Sequence, residues 1–82
     1  MDLSTRQKTR GSVCSILVAL KVYHLSHIGV RHEEALRKID ALLEGREEEL
    51  MSNLESTWNG LNPRLDKADK INSFIQIIQK AV

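Results

Sequence analysis

The sequence predicts an all-α domain. Apolar residues recur at helical spacing in three successive segments, and turn residues separate them at Gly29 and at Asn59-Gly60-Leu61-Asn62-Pro63. The first segment is rich in β-branched residues but lacks the strict alternation of a half-buried strand. The expected architecture is three helices, a helical hairpin plus a C-terminal helix, with antiparallel neighbours and pairing into a larger bundle. Residues 1–11 are expected as a basic N-terminal arm and residues 12–82 as a single helical domain.

The first helix is expected over about Ser12 to Ile28, with Ser12 as N-cap and Gly29 as the residue that ends it. Its apolar residues are Val13, Cys14, Ile16, Leu17, Val18, Ala19, Leu20, Val22, Tyr23, Leu25 and Ile28. They cover most of the circumference. A helix apolar nearly all round is buried on more than one side, and two further helices of a short chain hardly enclose it.

The second helix is expected from about His32 to Trp58. Glu33 and Glu34 stand in its first turn, where the helix dipole favours anions. Its stripe is Ala35, Leu36, Ile39, Leu42, Leu43, Leu50, Leu54 and Trp58. At about 100° per residue, Ile39 and Leu50 lie within about 20° of each other, so the stripe keeps phase through Gly45. That favours one helix carrying a costly glycine; a break with Gly45 as the C′ residue is the alternative. In the third helix Asn62 is the expected N-cap and Pro63 the first helical residue. Its stripe is Leu65, Ala68, Ile71, Phe74, Ile75, Ile78 and Val82, with Ile77 outside it.

With 82 residues the chain holds one domain, and its own core is marginal. Cys14 is the only cysteine, so no internal disulfide supports the fold. One Trp, one Tyr and one Phe leave the core to aliphatic residues. Twelve basic against eleven acidic residues exclude a bulk polycation. Net charge is nonetheless uneven: +2 over residues 1–11, −4 over residues 31–55 and +2 over residues 56–82. The acidic run Glu47-Glu48-Glu49 reads as a solvated face, or as a surface that meets the basic ends of a second copy. The start is polar, with Arg6, Lys8 and Arg10. The apolar stretch 13–28 is interrupted by Lys21, His24 and His27 and falls short of the roughly 20 residues of a membrane span. A soluble, cytoplasmic protein without membrane contact is expected.

No catalytic motif is visible, and the four glycines are isolated rather than grouped in a nucleotide-binding loop. An enzyme is not expected, nor is a cofactor. His24 and His27 share a helix face at a spacing that suits a metal. Cys14 is almost three turns from His24, and no CxxC or HExxH occurs, so no metal is expected. The histidines are read as ordinary helix-end residues or as a pH-responsive group, and Cys14 as a small core residue.

Around the first turn, Gly29, Glu34-Ala35-Leu36, Ile39 and Leu42 resemble the turn glycine and the packing positions of the second helix of a tetratricopeptide repeat. The match covers one unit. It has one extra residue between Gly29 and Ala35, Lys21 and Val22 depart from the first-helix pattern, and no second repeat follows. Small chaperones of bacterial secretion systems use such hairpins, and the resemblance implies a groove for a partner's helix.

These readings point to a non-enzymatic helical interaction module, an adaptor or small chaperone, acting as a homodimer or with another helical protein. The expected contact residues are Val13, Ile16, Leu17, Leu20, Val22, Tyr23 and Leu25, with Trp58 and Phe74 as aromatic anchors. The alternative is a dimeric helical RNA or DNA binder that recognises the phosphate backbone by shape. It would use Arg6, Lys8, Arg10, Lys21, Arg31, Arg37, Lys38, Arg64, Lys67 and Lys70.

Overall fold

From Leu3 to Leu25 no proline interrupts the chain, and Gly11 is the only glycine in that stretch. A single helix, α1 (Leu3–Leu25), runs through the whole stretch in the computed structural model, which describes residues 3–82 and side-chain surroundings from Arg6 onward. Residues 3–11, expected as a separate arm, are helical and continuous with α1, so Ser12 lies inside a helix and caps nothing. Met1 and Asp2 lie outside the described residues.

Three further helices follow, one more than expected: α2 (Val30–Leu43), α3 (Glu48–Asn59) and α4 (Lys67–Ala81). Gly29 does not end α1. It is the N-cap of α2, at φ +145°, and its carbonyl accepts from the Glu33 N–H. α1 ends earlier, where the Ser26 hydroxyl and N–H both turn back to the Val22 carbonyl.

The expected continuous second helix is broken at Gly45. Gly45 adopts φ +78°, its N–H donates to the Leu42 carbonyl, and the Arg46 N–H donates to the Ala41 carbonyl. This crossed pair is the Schellman termination, which needs a left-handed residue that glycine supplies without steric cost. Phase continuity across Gly45 was therefore a coincidence of spacing. Two carboxylates, Glu48 and Glu49, then occupy the first turn of α3 and suit its dipole.

Asn62-Pro63 forms a turn, as its residues imply, but does not start the last helix. The Asn62 side chain accepts from the Arg64 N–H at 2.9 Å and its carbonyl accepts from the Leu65 N–H at 3.1 Å. Pro63 thus sits at the second position of a β-turn, where its fixed φ fits. The N-cap of α4 is Asp66, whose carboxylate accepts from the Asp69 N–H at 2.8 Å.

α1 is the hub and packs against all three other helices. It contributes Val13, Ile16, Leu17 and Leu20 to one core, which Ile39 and Leu42 of α2, Met51 and Leu54 of α3, and Phe74 and Ile78 of α4 complete. The core is aliphatic except for Phe74 and the half-buried Trp58 packed edge-on against it, ring centroids 5.2 Å apart. The molecule measures 39 × 27 × 17 Å. Its radius of gyration, 12.8 Å, exceeds the about 12 Å of a compact chain of this length. A body 17 Å thin has no room to wrap helices, each about 10–12 Å wide, around all sides of α1.

Candidate functional site

The side of α1 that faces the core is set by Thr9, Val13, Ile16, Leu17 and Leu20, all buried. At about 100° per residue the opposite side is formed by Gly11, Ser15, Val18, Val22 and Leu25, which fall within a stripe about 80° wide. All five are exposed. Val18 is 49% exposed, Val22 59% and Leu25 62%. Beyond the helix end, Ile28 is fully exposed and Val30 69%. α1 therefore carries two apolar faces, one turned into the chain and one turned out. The outward stripe steps by four, three, four and three residues, the spacing of a helix-pairing seam. Its first half holds small residues and its second half large aliphatic ones.

This placement sorts the expected contact residues. Val13, Ile16, Leu17, Leu20 and Phe74 fill the chain's own core and present no surface to a partner, a correction to the expected contact set. Val22, Tyr23 and Leu25 are exposed. Trp58 is half-buried, with the Lys70 ammonium 4.4 Å above its ring. Val18 belongs to the outward stripe, Ile28 and Val30 are exposed past the end of α1, and none of the three was among the expected contacts. Their spacing was present in the sequence, but the inward apolar residues interleave with it, and only the packing separates the two sets.

The basic residues do not act as one group. Arg10 reaches α3, 2.8 Å from Glu48 and 3.2 Å from Glu55. The basic start and the acidic middle thus meet within one chain at this residue. Lys21 pairs with Asp40 at 2.7 Å, and Lys70 lies over Trp58. Arg64 sits in the Asn62–Leu65 turn rather than on a helix, so the expected row Arg64, Lys67, Lys70 is not a row on one helix. Arg6, Lys8, Arg31, Arg37, Lys38 and Lys67 are exposed, as is Arg64.

At the α1–α2 turn three imidazoles gather. His24 Nδ1 and His32 Nδ1 are 2.9 Å apart, so one donates and the other accepts. His27 stacks on His32 with centroids 4.9 Å apart and donates from Nδ1 to the Tyr23 carbonyl at 2.8 Å. Burial, and then the neighbouring His32, His27 and Arg31, hold His24 below the ordinary imidazole value. His24 and His32 edge an open hollow of about 360 Å³ lined also by Tyr23, Arg31, Ala35, Gln79 and Val82. Among the described residues no three His, Cys, Asp or Glu side chains are placed to hold a metal ion. Cys14 is partly buried beside the core. Among the described residues no helix is long and apolar enough to cross a membrane.

Comparison with family models, with curated proteins and with solved structures finds no match for this chain.

Proposed function

We propose that the chain is a non-enzymatic helical interaction module that docks a helix, from a second copy or from another helical protein, on the outward face of α1. The observation that carries this reading is the exposure of Val18, Val22, Leu25, Ile28 and Val30 on and beside one helix face opposite its buried side. Covering one large aliphatic side chain is worth about 1.5–3 kcal/mol, which gives such a face affinity for any apolar surface of matching shape. A contiguous apolar face of this kind is the usual mark of an interaction site. An intracellular adaptor or small chaperone fits the chemistry.

The nucleic-acid reading is weaker, because Arg10, Lys21 and Lys70 already have partners within the chain.

A paired measurement tests the proposal. Val22→Asp replaces an exposed side chain, so its effect on folding is expected to stay within about 0.5 kcal/mol. Association is expected to fall sharply, seen as a lower mass by light scattering or as loss of a partner captured by the tagged chain. A wild-type chain that is strictly monomeric, and that captures nothing which Val22→Asp releases, would refute the reading. A gel-shift panel of single- and double-stranded RNA and DNA separates the second reading, which predicts binding that weakens steeply with salt.

A further inference from the structure

We infer that His24 and His32 form a two-imidazole site for a divalent transition-metal ion of the Ni²⁺ or Cu²⁺ kind, one that clamps the end of α1 to the start of α2. This site is separate from the docking face and does not depend on it. Spacing in the sequence pairs His24 with His27, but the closed turn brings His24 to His32 instead. Their Nδ1 atoms, 2.9 Å apart, come from the last turn of one helix and the first turn of the next. Imidazole nitrogen binds such ions at about 2.0–2.1 Å. Two nitrogens at that distance from the ion and 2.9 Å from each other subtend about 90° at it. That is the angle between neighbouring ligands in square-planar and octahedral sites, and Ni²⁺ and Cu²⁺ take square-planar or tetragonal geometry with nitrogen and oxygen donors. A tetrahedral Zn²⁺ site would hold the two nitrogens about 3.4 Å apart.

Neighbouring rings hold both imidazoles. His27 stacks on His32, and Tyr23 packs edge-on against His24 with ring centroids 5.1 Å apart. The Nδ1 of His27 is engaged with the Tyr23 carbonyl, and among the described residues no three side chains are placed to hold an ion. The pair is therefore the whole protein ligand set, and water in the open hollow beside it completes the coordination. On binding, the proton that joins the two rings moves to the Nε2 of its own ring. Both Nδ1 lone pairs then meet the ion, and both imidazoles stay neutral. Arg31 also lines the hollow. Its charge opposes a cation there, so Arg31→Gln is expected to tighten binding.

The test uses the untagged full chain at about pH 7.5, above the ordinary imidazole pKa. Cys14→Ser serves as the parent, so that the one thiol cannot compete for the ion. Thermal circular dichroism with increasing nickel chloride reads binding. Expected is a rise in Tm of about 10 °C or more at about a hundredfold excess over the half-saturating concentration. The rise is expected to vanish in His24→Gln and in His32→Gln and to persist in His27→Gln. No rise in the parent would overturn the site and leave the 2.9 Å approach as a hydrogen bond only. A rise that survives His24→Gln or His32→Gln would overturn it by placing the ion elsewhere. A second measurement on the unaltered chain does not depend on how the variants fold. Ni²⁺ is expected to slow acylation of His24 and His32 by diethyl pyrocarbonate, mapped by mass spectrometry, and to leave His27 reactive. Unchanged rates at His24 and His32 would count against the site whatever the melts show.

Discussion

Gly45 and Gly11 show how one residue type does opposite things. Gly45 stands at φ +78°, a conformation that costs an L side chain about 1–2 kcal/mol. Gly45→Ala should therefore lower Tm by about 5 °C or more, read by thermal circular dichroism. Gly11 sits inside α1 with nothing within 4 Å of where a Cβ would stand. Gly11→Ala should stabilise the isolated chain by about 0.5–1 kcal/mol. The same denaturation experiment compares the two, and equal losses would contradict the backbone account. Thr9 was invisible as a core residue while its segment was read as an arm. In the fold it is buried, and its hydroxyl donates to the Asn59 side chain at 3.1 Å, joining α1 to the end of α3. Nothing local marks it, since a threonine two residues from a glycine reads equally well as loop or helix.

Helix boundaries follow from caps, and two caps give opposite predictions. Asp66→Ala removes the acceptor for the Asp69 N–H and should cost about 1 kcal/mol in denaturant unfolding. Ser12→Ala falls inside α1 and should be neutral or mildly stabilising. A loss at Ser12 as large as at Asp66 would restore the shorter helix that the sequence suggested. The α1–α2 hairpin carries a pH dependence. His24 lies below its ordinary pKa of 6.5, chiefly through burial. The unfolded chain takes up that proton near pH 6.5 and the folded chain only at lower pH. Stability from this group is therefore complete above pH 6.5 and declines as pH falls through the folded value. Urea midpoints measured between pH 7.5 and pH 5 should drop, and His24→Gln should flatten that part of the profile. An unchanged slope in His24→Gln would show that another group governs it. The histidine cluster was legible in part: the three-residue spacing keeps His27 close to His24 even though His27 lies past the end of α1, but the 2.9 Å approach of His32 depends on how tightly the turn closes.

For the molecule as a whole, the two faces of α1 respond differently to the same chemistry. Leu17 is fully buried where α1 meets the shared core, and Leu17→Ala should cost about 2–5 kcal/mol at any protein concentration. Leu25→Ala, on the outward face, should leave dilute-protein stability nearly unchanged and lower the Tm only where concentration favours association. Thermal melts across a hundredfold dilution distinguish the two, and a concentration-independent loss at Leu25 would place it in the monomer's own fold. By itself the sequence determined the helical class, because apolar spacing and isolated glycines are local properties of the chain. It also determined that the first helix holds more apolar surface than its neighbours cover, since that surplus is a matter of composition. Which half of that surface turns inward was decided only by the tertiary structure. So was the recruitment of Arg10 and Lys21 into ion pairs. Each depends on the position of residues distant in sequence, and a one-dimensional pattern that fits two opposite helix faces equally well contains nothing to choose between them.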